Sequence, residues 1–238
     1  MKANHILLII LLSFIMQALP GYVADYEVKA MGLKLATVRI ENNTGAQLIN
    51  VSVKSVYSNR IFPPVDNRYQ VNYVSGYYPV KYYRKIHQND LRDSVMVYYN
   101  RDNKTASANS TQSKIQGKYK ISSEIRDYFS FFTMLTLEDL PTGKYVIDGN
   151  GCPWMASVDL EKIETIHTDI GKFTARKYNI SFQNMTANKM PYIDMITHNL
   201  LNEDTTLNLW ISTNHIAVKA SMRKKTVSMI WDMIGYSD

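Results

Sequence analysis

Cysteine is nearly absent from this chain: Cys152 is the only one among 238 residues. A single cysteine excludes an intramolecular disulfide, so packing alone must stabilise the fold, and a chain of this length can bury enough surface for that. The sequence also lacks the Gly-x-Ser-x-Gly, His-Glu-x-x-His and Gly-Lys-Ser/Thr motifs of serine hydrolases, zinc peptidases and phosphate-binding loops. The histidines have no partner at metal-ligand spacing, and we therefore expect neither a metal nor a cofactor.

Concentrated charge is missing as well. The chain has 27 Lys and Arg against 21 Asp and Glu, and the net charge of +6 is spread thinly along it. Arg223-Lys224-Lys225 is the one tight basic run, and Asp232 and Asp238 follow it. Because nucleic-acid-binding proteins present a basic patch or stripe, we do not expect nucleic acid as a partner.

The amino-terminal segment has the layout of a secretory signal peptide. Lys2 gives a positive start, Ile6 to Met16 is almost wholly apolar, and Pro20-Gly21 ends any helix. This apolar run is too short to cross a bilayer, which takes about 20 residues. We predict that residues 1–24 are a signal peptide, and an uncleaved anchor is the competing interpretation. Three cleavage positions are candidates, after Ala24, Ala18 or Gly21.

The rest of the chain, residues 25–238, has no repeat, linker or shift in composition, which favours one domain. Export without disulfides favours a bacterial periplasm. We therefore expect a single periplasmic domain with no transmembrane segment after signal cleavage. The sequence does not define its oligomeric state.

The dominant pattern of this domain is period-two alternation, which is typical of strands with one buried face. It is clearest where Tyr26, Val28 and Ala30 alternate with charged residues, and it recurs at Arg68 to Tyr73 and at Ile216 to Met222. Short consecutive strands joined by polar turns favour antiparallel pairing. We predict a mainly β fold of about ten to twelve strands, forming a curved antiparallel sheet or a partly open β-barrel.

Two glycine-containing stretches interrupt the alternation. The apolar phase flips between Leu35 and Val38, which predicts a β-bulge there and a turn or bulge at Gly32 before it. The stretch from Asp148 to Pro153 is typical of a hairpin turn. It contains Cys152, which would be a nucleophile only if the fold brought a base to it, because an unperturbed thiol is mostly protonated.

One segment has helical periodicity instead. Its apolar residues recur at helical spacing and are Ile125, Tyr128, Phe129, Phe132 and Leu135. Since Ser is a good capping residue and Glu124 follows it, we predict one amphipathic helix from Ser123 to Thr136, packed against the sheet. Phe131 falls off the apolar stripe and should be less buried than Phe132. Pro191 to Asn199 favours a second, shorter helix.

Tyrosine is the unusual residue: there are 17, and eight of them lie between Tyr69 and Tyr99. An aromatic ring with a polar tip suits a groove for sugars or amphipathic molecules. It also suits the cross-strand aromatic pairs of an ordinary sheet. The candidate ligand-binding residues are Tyr69, Tyr73, Tyr82, Phe129 and Phe132.

Several short motifs follow one another along the chain. They are Tyr26-x-Val28 with Gly32-Leu33-Lys34, Ser55 to Val65, Asp127-Tyr128-Phe129-Ser130 with Gly143, Gly171-Lys172-Phe173, and Leu209-Trp210-Ile211-Ser212 with Ala217-Val218. In this order they resemble the domain of unknown function 3108 family of exported bacterial proteins, from whose pattern the chain departs at Ala36, Asn214 and Thr226. The resemblance implies an exported, β-rich domain without an assigned activity. Two triplets, Asp93-Ser94-Val95 and Asp204-Thr205-Thr206, resemble O-glycosylation sites of exported Bacteroidetes proteins.

We therefore expect an exported periplasmic binding or envelope-assembly module with no catalytic site. Its partner would be an amphipathic lipid or glycan, or an envelope protein, held between the curved sheet and the helix. One alternative is a cell-envelope hydrolase with a spatially assembled site, which would use Cys152 or a His and an acidic residue. The other is a purely structural partner of an outer-membrane complex. A deep enclosed pocket would favour the binding module, and a large exposed apolar patch would favour the structural partner.

Overall fold

The computed structural model describes residues 21–56, 58, 63–112, 115–225 and 227–238, and the following elements lie within these ranges. The strands are β1 Tyr22–Ala30, β2 Leu33–Asn43, β3 Leu48–Ser55, β4 Asp66–Val74, β5 Tyr78–Gln88, β6 Leu91–Asn100, β7 Thr105–Ser110, β8 Gly117–Lys120, β9 Gly143–Gly149, β10 Cys152–Thr168, β11 Gly171–Asn184, β12 Thr205–Ser212, β13 Ala217–Lys224 and β14 Val227–Ser237. The helices are α1 Tyr128–Leu137 and α2 Met195–Leu200. Residues 1–20 of the predicted signal peptide lie outside the described residues.

All these strands belong to one 14-stranded antiparallel sheet, ordered β8-β7-β6-β5-β4-β3-β2-β1-β14-β13-β12-β11-β10-β9. Consecutive strands pair with each other along the chain, except that β8 does not pair with β9. Strand β1 pairs in addition with β14. Strands β8 and β9 are therefore the two edges, and the sheet curves without closing. This confirms the predicted mainly β, antiparallel, partly open fold, with a few more strands than expected.

The segment that leads into α1 bridges the gap beside edge strand β9. The Arg126 N–H donates to the Val146 carbonyl (3.0 Å), and the Asp148 N–H donates to the Arg126 carbonyl (2.8 Å). From the opposite edge, the Tyr119 hydroxyl on β8 donates to the Asp148 carboxylate (2.7 Å). A short backbone bridge and a side chain thus connect the two edges, instead of a continuous pair of strands.

The predicted turns and the bulge are confirmed. Met31 and Gly32 have φ of 50° and 77°, and Asn150 and Gly151 have φ of 58° and 87°. Two consecutive left-handed residues give a hairpin turn whose twist matches that of the flanking strands. The pairing of β1 with β2 shifts register opposite Leu35, which is the bulge that the phase flip indicates.

Helix α1 begins at Tyr128 and not at Ser123, so the predicted start is wrong. Asp127 is the N-cap, and its carboxylate accepts two backbone N–H groups of the first turn. The residues before it cannot be helical because the backbone of Arg126 is paired with β9. A tertiary contact therefore overrides the local capping signal.

Helix α1 is also not amphipathic, since eight of its ten residues are buried. It lies inside the curve of the sheet, with contacts to β9 and β4. Phe131 is fully buried and packs on Tyr145, with ring centroids 5.7 Å apart, whereas Phe132 is half-buried. The predicted order of burial of these two phenylalanines is thus reversed.

Helix α2 corresponds to the second, shorter helix predicted at Pro191 to Asn199. Its N-cap is Asp194, whose side chain accepts the backbone N–H groups of Ile196 and Thr197. Within the described ranges, neither helix has the length and apolar character that crossing a membrane requires.

Candidate ligand-binding site

The interior of the sheet divides into two regions of opposite chemistry. The polar half surrounds the buried residues Arg84, Asp127, Asp148 and Asp194. The apolar half is enclosed by β1–β3, β12–β14 and the two helices. The first contains a network of hydrogen-bonded side chains, and the second contains cavities.

Arg84 is the centre of the polar half and is 1% exposed. Its Nη1 donates to Oδ1 of Asn150 (2.7 Å) and lies 3.6 Å from Oδ2 of Asp194. Its guanidinium also lies over the ring of Tyr82, 4.7 Å from the centroid. A cation this deep has to be paired and hydrogen-bonded, and Nη1 meets that need, while Nε has no partner within the described residues.

Two of the three carboxylates in this half are well provided with hydrogen bonds. Asp194 accepts the hydroxyls of Tyr69 (3.0 Å) and Thr197 (2.6 Å), in addition to capping α2. Asp148 accepts the hydroxyl of Tyr99 (2.9 Å) as well as that of Tyr119. Asp194 therefore ties β4 to α2, and Asp148 ties its own strand β9 to β6 and β8.

Asp127 is the less satisfied carboxylate. Its Oδ1 caps α1, but its Oδ2 has no hydrogen-bond partner within the described part of the chain. Burial raises the pKa of Asp127 to about 6, and the nearby charge of Asp148 adds to this effect.

The apolar half holds two neighbouring cavities, of ≈ 150 Å³ and ≈ 110 Å³. Ile196 and Leu200 of α2 line both cavities, and so does Trp231 of β14. The walls are mostly aliphatic, and an apolar cavity of about 150 Å³ stays dry and takes up small apolar molecules. Helix α2 therefore lies between two parts of one apolar space.

At one end, the larger cavity reaches a group of four tyrosines, Tyr22, Tyr73, Tyr77 and Tyr236, which we call the tyrosine cluster. Tyr22 lines the cavity and stacks on Tyr236, with centroids 6.1 Å apart. Tyr73 stacks on Tyr77 at 5.6 Å, and its hydroxyl donates to Oδ1 of Asn42 (3.2 Å).

The structure places the five predicted ligand-binding residues around α1 but gives them different surroundings. Phe129 and Phe132 line the larger cavity. Tyr69 and Tyr82 pack on Phe129, at 4.8 Å and 6.1 Å between centroids, and are buried in the polar half. Tyr73 belongs to the tyrosine cluster. A ligand-binding role for these residues stays a prediction, now centred on the two phenylalanines.

Sequence reasoning missed several residues of this site. Ile196 and Leu200 fall in a segment too short for clear periodicity, and Tyr22 falls within the predicted signal peptide. Two signals were present in the sequence. Asn42 is a polar residue in line with Val38 and Ile40 on the inward face of β2. Trp231 lies on the inward face of the last alternating stretch.

Cys152 does not have the surroundings of a nucleophile. It is 7% exposed, and its Sγ donates to the Lys189 carbonyl at 3.8 Å. Burial and the charge of Asp148 raise the pKa of the thiol, which disfavours the thiolate. The geometry therefore gives no support to a hydrolase site built on Cys152.

Two other sequence features have simple outcomes. A search of the described ranges finds no group of three or more His, Cys, Asp or Glu side chains placed to hold a metal ion. Thr205, from the second of the two glycosylation-like triplets, is 2% exposed and donates to the Asn199 carbonyl. It is therefore not displayed as a surface acceptor.

Comparison with known proteins identifies the fold. No protein-family model and no curated protein matches the sequence. A β-barrel-like protein of domain of unknown function 1849 from Brucella abortus has the same fold, with a TM-score of 0.63 and 8% identity over 92% of this chain and 98% of that one. At this identity the likeness concerns the fold alone.

Two other solved structures match with lower TM-scores. An inferred exported protein with a YmcC-like fold from Bacteroides fragilis has a TM-score of 0.36 and 9% identity, over 92% of this chain and 96% of that one. An inferred lipoprotein from Parabacteroides distasonis has a TM-score of 0.35 and 12% identity, with the same coverage. The likeness to the Brucella abortus protein alone shows that this chain has a β-barrel-like fold that occurs in a family of unknown function. No family model supports the resemblance to family 3108.

Proposed function

We propose that this protein is an exported envelope module that acts without catalysis and holds an amphipathic lipid in the apolar half of its interior. The observation that carries the proposal is the pair of neighbouring apolar cavities of ≈ 150 Å³ and ≈ 110 Å³ that are lined by strands of the sheet and by α2. Ligand sites are usually concave and mostly apolar, with a few polar groups. Because the cavities lie on both sides of α2, an elongated apolar chain suits them better than a compact group.

The size of the cavities supports a ligand over loose packing. Protein interiors are close-packed, so apolar side chains around unfilled space lack contacts that a ligand can supply. A bound acyl chain would cover the largely apolar walls of both cavities and supply these contacts.

The proposed periplasmic location rests on the signal-like amino-terminal segment. Strand β1 begins at Tyr22, and Ala24 is fully buried in it. Cleavage after Ala24 would remove both residues from the sheet, so we expect cleavage after Ala18 or Gly21. Intact-mass measurement of the exported protein checks this expectation, and a mature chain that begins at Asp25 would contradict it. Membership of family 3108 is a further proposal, supported by the order of the short motifs.

A lipid-capture experiment tests the proposed function. The mature protein is incubated with an envelope lipid extract and, separately, with a glycan extract, and then examined by native mass spectrometry. We expect lipid adducts. Ala220→Leu, which places a larger side chain at the wall of the larger cavity, should reduce them. Ala46→Leu, at an exposed turn, is the matched control and should leave them unchanged.

Three results would reject the proposal. The first is unliganded protein in both extracts, which would leave the structural-partner alternative. The second is adduct formation with glycan alone. The third is lipid capture by Ala220→Leu at the level of the unmodified protein, which would place the lipid outside the larger cavity.

A further inference from the structure

Polar side chains lie beside one end of the larger cavity, on the inward faces of β1, β2 and β4. Tyr22 lines the cavity and is paired across the sheet with Asn42. Asn42 is in turn held by Tyr73, whose hydroxyl donates to its Oδ1 at 3.2 Å. Asn42 and Tyr73 do not line the cavity themselves, but Asn42 follows the lining residue Ile40 on the inward face of β2 and so lies directly beyond this end.

Asn42 is an incompletely satisfied group at this end. It is 2% exposed, and its Nδ2 has no hydrogen-bond partner in the part of the chain that the structure describes. A buried polar group left without a partner is costly, and native proteins rarely contain one without a reason. Since Tyr73 occupies the amide oxygen, the amide nitrogen is presented as a donor that lacks an acceptor.

The charge around Asn42 limits which acceptor can bind. Burial raises the pKa of Tyr22 and Tyr77 and raises that of Tyr73 to about 12, so the hydroxyls stay neutral near pH 7. No basic side chain is among the main influences on the pKa values of these three hydroxyls, while the charge of Glu138 raises that of Tyr77. Lys219 also lines the larger cavity, but its ammonium is paired with Asp232 at 3.2 Å. A buried anion beside Asn42 would therefore lack a free counter-charge, and such burial is costly.

We infer that the larger cavity holds an acyl chain carried as a neutral ester or amide, and that Nδ2 of Asn42 donates a hydrogen bond to its carbonyl oxygen. Tyr73 is the positioning residue that keeps the amide in this orientation. The inference rests on the proposed function, because the chain has to occupy the apolar half. It disfavours free carboxylates and phosphates as the group that lies beside Asn42.

Three probes with the same hydrocarbon chain separate these possibilities: methyl palmitate, hexadecane and palmitate. Their affinities for the mature protein are measured at neutral pH by displacement of an apolar fluorescent dye. We expect methyl palmitate to bind about tenfold more tightly than hexadecane, a ratio that corresponds to about 1.4 kcal/mol. Palmitate should bind more weakly than its methyl ester.

Asn42→Leu should abolish the preference for the ester and leave the affinity for hexadecane unchanged. Tyr73→Phe should reduce the preference, because the amide is then free to turn. Asn109→Leu makes the same replacement at an exposed position of β7 and should keep the preference. If Asn42→Leu does not fold, an unchanged preference in Tyr73→Phe is sufficient to overturn the inference.

The outcomes distinguish the two proposals. If none of the probes binds the unmodified protein, the proposed function fails. If the ester and the alkane bind equally in the unmodified protein and in Asn42→Leu, the cavity holds an apolar chain but the role of Asn42 is wrong. If palmitate binds more tightly than its ester, the selection of a neutral head group is wrong.

Discussion

The polar and apolar halves of the interior are enclosed by the same sheet but are built in opposite ways. In the polar half, Arg84, Asp148 and Asp194 are joined to their neighbours mainly by hydrogen bonds and an ion pair. In the apolar half, most contacts are between apolar side chains, and space remains between them. The two halves are connected through the helices, because Asp127 caps α1 and Asp194 caps α2. A rigid polar network thus positions the helices that form the walls of a hollow site.

The largest expected effect on the contrast between the two halves comes from replacing Arg84, the buried cation of the polar half. Arg84→Met leaves the carboxylate of Asp194 buried without its ion-pair partner, and breaking a buried pair in this way costs about 3–5 kcal/mol. Urea denaturation measures the loss in the free energy of unfolding. Arg84→Met combined with Asp194→Asn should regain part of it. A single variant within about 1 kcal/mol of the unmodified protein would show that the network does not carry the fold.

The second test compares two neighbouring phenylalanines of α1. Phe131 is fully buried, and Phe131→Ala should cost about 3–5 kcal/mol. Phe132 is half-buried and lines the larger cavity, so Phe132→Ala should cost roughly 1–2 kcal/mol, because part of its surface already lacks packing partners. Chemical denaturation of both variants measures the difference. Equal losses would mean that the larger cavity is filled in solution.

The third test uses pH, through Asp127. Its pKa rises from 3.8 to about 6 on folding, so the folded state binds the proton more tightly. Stability from this group is fully present below pH 3.8 and is lost as pH rises through 6, a loss of roughly 3 kcal/mol by neutral pH. Asp127→Asn keeps a capping side chain but cannot ionise.

The measurement is therefore the difference in unfolding free energy between Asp127→Asn and the unmodified protein. It should be near zero at pH 4 and should favour the variant by roughly 3 kcal/mol at pH 7. Taking the difference removes the contribution of Glu27, whose pKa the hydrogen bonds from Lys34 and Lys29 lower and whose pH dependence has the opposite sign. A difference that does not change with pH would contradict the raised pKa of Asp127.

The sheet can be predicted from the sequence because the alternation of apolar and polar residues along each strand depends only on residues that are close together in the chain. The β1–β2 turn, the bulge at Leu35 and the hairpin at Asn150-Gly151 all follow from residues that are close together in the chain. The start of α1 does not, because Ser123 is a good local cap and only the pairing of Arg126 with β9 shows that the chain is extended there.

The site is less predictable for the same reason. Arg84 lies on the inward face of an alternating strand, between Tyr82 and Ile86, and this position already indicates a buried charge. Its partner Asp194 is distant in the sequence, and no local pattern connects the two. The cavities depend on volumes that strands from both ends of the chain leave between them, so periodicity cannot show them.

The smallest expected effect comes from the same substitution made once in each half. Ala220 lines the larger cavity, so Ala220→Leu should fill space and raise stability by about 0.5–2 kcal/mol. Ala106 is 2% exposed and faces Tyr99 and Tyr119 across the sheet, where an added side chain should cost about 1–3 kcal/mol. Melting temperatures of the two variants should therefore move in opposite directions. If Ala220→Leu lowers the melting temperature as much as Ala106→Leu does, the apolar half is as tightly packed as the polar half, and the proposed binding space is not there.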